Sequence, residues 1–287
     1  MTKSTWLHLR VPFSFFLLPV FLFALCVAPE INWYTAGTIF IILHFLLYPA
    51  SNGYNSYFDK DTDSIGGLHN PPPVTKELYY ISLGLDGLAI LWGYSIHWKI
   101  ALMLFIYGLV SKAYSHPAIR FKKYPILGWL IAGVFQGAFT LLMVSQAVQL
   151  EFVQINWRPE ALWGAVLATL LLWGSFPMTQ VYQHQEDQRR GDLTISRKLG
   201  IRGTFAFCLV VFLIANTGFL FYLAHFESVA LTVWFQIAMI PLIGYFIYWF
   251  VQIWTNPTAA DYQHSMRLNI ISAFSLNFFF CGWLVFQ

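Results

Sequence analysis

The residues of this chain best suited to chemistry are Asn55, Asp59 and Asp63, in the stretch N-G-Y-N-S-Y-F-D-K-D-T-D that closes an apolar run. On a helix their i, i+4, i+8 spacing places them within a wedge of about 80°, at steps of roughly 6 Å along the axis. One face then carries two carboxylates and an amide oxygen. Such donors suit a hard divalent cation, and Mg²⁺ takes one or two carboxylates and fills its remaining positions with water and substrate phosphate. A second cluster, Gln183-His184-Gln185-Glu186-Asp187, ends another apolar run far downstream, again with oxygen donors at i and i+4. A solvated helix end would account for either cluster alone. Acidic residues at a helix C-terminus oppose the macrodipole, however, and the recurrence argues for a shared task, the holding of a phosphate through metal.

Composition says what must position these clusters. With 58% hydrophobic and 10% charged residues, 287 residues have too little polar surface to cover a soluble globule. The chain is expected to be an all-α, polytopic membrane protein. Apolar segments run roughly over 11–29, 34–58, 77–95, 98–114, 125–147, 160–182, 203–225, 229–254 and 265–286, each near the ~20 residues that span a bilayer. Nine transmembrane helices in a single domain over 1–287 are therefore expected. Lys3 and Arg10 ahead of the first run superficially suggest a signal peptide, but the run is long, contains Pro19 and lacks a small-residue cleavage site. Cys26, Cys208 and Cys281 all lie within apolar runs, without metal or disulfide spacing.

Basic residues set the orientation. With the N-terminus in the cytoplasm, only Lys99 and Arg158 fall on the far side, which is the positive-inside pattern of an inner or plasma membrane protein. Both acidic clusters then share the cytoplasmic side, and the second and sixth helices can face each other across one cavity. The triple proline within residues 69–76 makes a stiff connector. Residues 114–123 interleave basic and apolar side chains, as a juxtamembrane lipid-binding segment does, or as a cationic lid over a diphosphate would. In an extended connector Arg120 and Lys122 share a face and Lys123 points away. Arg10 and Lys112 stand behind them as further diphosphate cations. Asp86 and His44, each midway along a helix, are given no role.

A cavity of this kind fits a substrate with a diphosphate head and a long apolar tail. Mg²⁺ at the head would neutralise the leaving group and promote ionisation to an allylic cation, which aromatic faces can favour. Capture by a small aromatic or quinonoid acceptor makes the protein a prenyltransferase. Capture by the prenyl chain itself makes it a membrane terpene cyclase. The non-enzymatic alternative is a cation-binding transporter, which would show matching broken helices in its two halves. Membrane lipid is an expected partner and nucleic acid is not.

Several motifs resemble the UbiA-type intramembrane prenyltransferase superfamily. Asn55-xxx-Asp59-xxx-Asp63 is similar to its first aspartate-rich motif, with features of the menaquinone branch. Gln183-xxx-Asp187-xxx-Gly191, followed by Asp192-Leu193-Thr194 and Lys198-Leu199-Gly200, resembles the second. Residues 114–122, with Tyr114, Ser115, Pro117, Arg120 and Lys122, resemble the family's tyrosine-serine-proline-arginine-lysine loop, and Arg10-Val11-Pro12 its arginine-proline start. The resemblance implies nine helices around a central cavity open to the bilayer, with a cytoplasmic cap. It implies Asn55, Asp59, Asp63, Gln183 and Asp187 as Mg²⁺ ligands, Arg120, Lys122, Arg10 and Lys112 around the diphosphate, and Asn52 and Tyr114 at the substrate. Two departures stand out. Gln183 replaces an acidic residue or asparagine, so metal binding there should be weaker, and Asn70-Pro71 stands where many members carry arginine before proline.

Overall fold

The structure is a computed structural model that describes residues 1–149 and 158–286. Among the described residues its regular secondary structure is helical apart from one isolated bridge between Ile65 and Leu68. Seven helices among the described residues are long and apolar enough to cross a membrane: α1 (Lys3–Cys26), α2 (Trp33–Asp59), α5 (Pro125–Ala147), α6 (Pro159–Arg190), α7 (Ile195–Phe226), α8 (Val229–Thr255) and α9 (Tyr262–Phe286). The other two expected segments are also helical, α3 (Lys76–Tyr94) and α4 (Trp98–Ser115). They fall short in apolar character because they carry Lys76, Glu77, Asp86, Lys99 and Lys112.

Side chains facing outward from the bundle confirm a non-aqueous surround. Leu213, Phe221, Ile240 and Phe278 are all more than half exposed, a surface that a water-soluble protein would cover. The protein is an integral membrane protein. Inside, Phe23 of α1 stacks on Phe280 of α9 at 4.8 Å between ring centroids, and Phe219 of α7 lies 5.4 Å from Phe23. Without a hydrophobic drive between helices in lipid, such close packing is what holds them together.

Several helices depart from regularity, each for a local reason. α1 begins earlier than its apolar run because Thr2 accepts a hydrogen bond from the Thr5 backbone N–H, while the Thr2 and Thr5 hydroxyls donate to Glu77 at the start of α3. It then breaks at Arg10, whose φ is 47°, and resumes as a tight turn opened by Pro12. α2 widens into a π-turn over Ile42–Leu47, just ahead of Pro49, which cannot donate to the ladder. α5 widens likewise over Phe135–Phe139. There Gly137 passes so close to α6 that a Cβ would sit 2.7 Å from the Thr169 backbone, while Thr169 accepts a hydrogen bond from the Ala138 N–H at 3.0 Å. α6 loosens after Ser175 into 3-10 turns around Pro177 and recovers only over His184–Arg190. The second acidic cluster therefore sits on a broken helix.

Candidate active site

α2 delivers Asn55 and Asp59, one turn apart, to a cavity of about 230 Å³. Asn55 Nδ2 donates to Ser115 Oγ at 2.9 Å, which fixes the amide and leaves its carbonyl oxygen for another partner. Asp59 is buried, at 6% exposure. The helix ends on it, because Lys60 adopts the left-handed conformation with φ 51°.

That reversal takes Asp63 off the helix face on which the i+4 spacing places it. Off the helix, Asp63 keeps no i+4 relation to Asp59; its side chain is 53% exposed, outside the cavity lining, and pairs with Arg189 at 3.2 Å. Asp61 is turned inward instead, lines the cavity and pairs with Arg190 at 2.7 Å. Burial and the neighbouring Asp59 charge raise the Asp61 carboxyl above its ordinary pKa, against the opposing pull of Arg190, Lys122 and Arg10. Sequence reasoning missed this residue. Its signal was the D-K-D-T-D composition, which favours caps and turns over helix interior.

The second cluster comes from α6 and the turn after it. Gln183 lines the same cavity and donates through Nε2 to the Ser64 carbonyl at 3.4 Å. Asp187 lines it too and accepts from Thr194 Oγ1 at 3.1 Å. Gly191, at φ 74°, ends the helix and turns Asp192 back into the protein, where it is 1% exposed. The two motif ends meet directly through Arg190–Asp61 and Arg189–Asp63, so the expected facing of the second and sixth helices holds.

The basic loop forms the third wall. Arg120, with φ 49°, grips Asp192 through two parallel hydrogen bonds of 2.7 and 2.8 Å and approaches Asp59 Oδ1 at 3.3 Å. Burial works against its charge, but the bonds to Asp192 and the Asp59 field more than offset this, and its pKa rises. Lys122 pairs with Asp59 Oδ2 and lies 3.6 Å from Asp192. Lys123 turns away and sits 5.0 Å over the Tyr124 ring. Arg120 and Lys122 do converge, yet on a short 3-10 turn over Phe121–Lys123 rather than on an extended strand. Among the described residues, Arg10, Lys60 and Arg120 are the non-glycine residues with positive φ. Arg10 lines the cavity, Lys60 joins Asp59 to Asp61, and Arg120 reaches Asp59 from outside the lining, the kind of strained backbone found at functional sites.

Lys112 is placed differently from expectation. Its ammonium is bound to Asp86 of α3 and lies 5.4 Å over the Tyr54 ring, outside the cavity lining. An ion pair between neighbouring helices satisfies both charges in an apolar surround. Arg10 does line the cavity. It donates to the carbonyls of Gly66 at 3.0 Å and Asn52 at 3.3 Å, has a buried Nε without a partner, and forms no ion pair with a carboxylate among the described residues. Asn52 and Tyr114 line the cavity as well.

The donor set suits a hard cation: the lining offers amide and carboxylate oxygens from Asn55, Asp59, Asp61, Gln183 and Asp187. Asp59 Oδ1 is buried without a hydrogen bond. Three acidic, histidine or cysteine side chains do not converge on one point among the described residues, and Mg²⁺ does not require it, since substrate and water complete its shell. Beyond this polar chamber lies an apolar one of about 190 Å³, lined by Phe16, Leu17, Val20, Phe212 and Phe280.

The sequence model of the UbiA prenyltransferase family matches residues 16–276. The chain belongs to this family. Solved UbiA-family structures share its fold. A UbiA homologue from Archaeoglobus fulgidus bound to GPP and Mg²⁺ aligns with a TM-score of 0.68 at 18% identity, over 97% of this chain and 99% of the other. The apo UbiA homologue from Aeropyrum pernix K1 aligns at 0.69 and 15% identity, over 97% and 98%. A structure of digeranylgeranylglyceryl phosphate synthase aligns at 0.63 and 20% identity, over 98% of each chain. None of the curated proteins compared with the chain matches it. As a UbiA family member, the chain is a prenyltransferase by class.

Proposed function

We propose that this UbiA family member is a Mg²⁺-dependent intramembrane enzyme that transfers the prenyl group of an isoprenyl diphosphate to a small aromatic or quinonoid acceptor. One observation carries the reading: a chamber of oxygen donors and cations opens into an apolar chamber, matching a charged head joined to a hydrocarbon tail. α3 and α4 complete nine spanning helices around a central cavity open to the bilayer. The connections bearing the motifs form a cap on the cytoplasmic side of the inner or plasma membrane, in keeping with the distribution of basic residues.

Asn55, Asp59, Gln183 and Asp187 hold the metal, and Asp61 takes the place that the sequence pattern gives to Asp63. Bound Mg²⁺ supplies charge that stabilises the departing diphosphate; the A. fulgidus homologue solved with DMAPP and Mg²⁺ supports this use. Lys122, Arg120 and Arg10 bind the diphosphate oxygens. Lys122 and Arg120, paired with Asp59 and Asp192 in this structure, exchange part of that pairing for phosphate. Tyr114 and Asn52 border the reacting end. The allylic C–O bond breaks with its electron pair on the diphosphate, a ring carbon of the acceptor supplies the pair for the new C–C bond, and the ring proton leaves to solvent.

Equilibrium binding of an isoprenyl diphosphate at graded Mg²⁺ concentrations tests the reading. Wild-type protein should bind only with Mg²⁺. Asp61→Asn should raise the Mg²⁺ requirement about tenfold, the scale of losing a ligand or its close support. Asp63→Asn should leave it within about twofold, since an exposed ion pair contributes little. Binding undiminished by a chelator would contradict the metal's role. The reverse order of the two variants would return the second carboxylate to Asp63.

A further inference from the structure

Arg10 reaches the polar chamber from a segment that cannot hold itself in place. It follows Lys3–Leu9, the opening stretch of α1, and a helix this short is unstable without outside support. Arg10 itself sits at φ 47°, a conformation that persists only where the surroundings over-determine it. On the chamber side, the Gly66 carbonyl accepts from Arg10 Nη1 at 3.0 Å and the Asn52 carbonyl from Nη2 at 3.3 Å, while the Phe13 ring lies 5.5 Å from the guanidinium carbon. Gly66 approaches so closely because it has no Cβ, which would stand 2.6 Å from the Phe13 ring.

The other end of the segment is fastened to the start of α3 at one carboxylate. Glu77 Oε2 accepts three hydrogen bonds, from the Thr2 backbone N–H at 2.8 Å, the Thr2 hydroxyl at 2.8 Å and the Thr5 hydroxyl at 2.6 Å. Between the two ends, the Ser4 hydroxyl donates to the Pro73 carbonyl and His8 Nε2 to the Pro72 carbonyl, each at 2.7 Å. The proline run that carries these carbonyls is stiff and gives the helix a fixed rail. Glu77 is the charged acceptor of the set, and hydrogen bonds to a charged group are the stronger kind. It lies outside the lining of both chambers. Resting on the reading of Arg10 as a diphosphate cation, we propose that Glu77 is a positioning residue: it holds the Lys3–Leu9 helix so that the strained Arg10 keeps its guanidinium in the polar chamber. Without Glu77 the segment frays from Thr2 and Arg10 leaves the chamber part of the time. The apparent affinity for the diphosphate then falls with the fraction of molecules still in place.

The test is a set of double-mutant cycles read by Mg²⁺-dependent equilibrium binding of geranyl diphosphate as probe. Glu77→Ala should raise the Kd about tenfold, and Glu77→Gln, which keeps an oxygen acceptor, should recover most of that loss. In an Arg10→Ala background Glu77→Ala should change the Kd by less than about twofold, whereas with Lys122→Ala the two losses should multiply. Hydrogen exchange at the backbone amides of residues 5–10 should quicken in Glu77→Ala. Thr5→Val, which removes one of the three bonds to Glu77, takes the place of Glu77→Ala if that variant does not fold, with a smaller loss in the same pattern. Equal losses in the wild-type, Arg10→Ala and Lys122→Ala backgrounds would make Glu77 a structural residue only and overturn the proposal. So would a Kd unaltered by Glu77→Ala while Arg10→Ala weakens binding. A Kd unaltered by Arg10→Ala would overturn the role of Arg10 at the diphosphate, and the proposal with it.

Discussion

Asp59→Asn is expected to lower turnover about a thousandfold while the protein still folds. The carboxylate is buried at the end of α2, where Lys122, Arg120 and Arg190 all approach it. Breaking a buried ion pair by removing one partner usually costs about 3–5 kcal/mol of stability, enough to unfold a marginal protein. Here each cation keeps another carboxylate: Arg120 and Lys122 keep Asp192, and Arg190 keeps Asp61 and Glu186. The structural loss is therefore shared out, whereas the loss of a charged metal ligand at the leaving group is not. Thermal unfolding separates the two effects. Activity lost in proportion to folded protein would make Asp59 a structural residue only.

Lys122→Ala should weaken isoprenyl diphosphate binding about ten- to a hundredfold, the worth of a desolvated charge-assisted contact of roughly 1.5–3 kcal/mol. Lys123→Ala should leave binding almost unaltered, since that side chain covers the Tyr124 ring on the outside of the turn. Both lysines carry the same charge in adjacent positions, so the pair isolates direction from charge. Asp59 keeps Arg120 at 3.3 Å when Lys122 is removed, which protects the fold in this comparison as well. Equal, small effects of the two substitutions would reduce the loop to a topology signal and leave Arg10 as the cation to examine.

The helices could be read from sequence because apolar runs in lipid have few alternatives to helix. All nine expected segments are helical in the structure, and α3 and α4 differ from the rest by the charges they carry. The breaks were less legible. Arg10, Lys60 and Arg120 adopt left-handed conformations that residue type alone does not announce, and each redirects side chains at the site. The turn at Lys60 is what separates Asp61 from Asp63. The partner of Lys112 is illegible for a different reason: Asp86 lies on a neighbouring helix 26 positions earlier, and pairing across helices leaves no local spacing to detect. Asp192 has no evident task in the sequence, and in the structure Arg120 donates to both its oxygens. The charge bias of the loops, by contrast, places both acidic clusters on one side, and the structure supplies their direct contact through Arg190–Asp61 and Arg189–Asp63.

Aromatic side chains in the apolar chamber, among them Phe16, Phe212 and Phe280, would also favour a cation that closes on its own chain, so the fate of the prenyl group is the point to measure. Purified protein should be incubated with Mg²⁺ and isoprenyl diphosphates of several lengths, with and without a hydroxylated aromatic acceptor, and both diphosphate and organic product followed. Mg²⁺-dependent diphosphate release that accelerates with acceptor, matched by prenylated acceptor, is the predicted result. Release at the same rate without acceptor, accompanied by a cyclised hydrocarbon or alcohol, would contradict it.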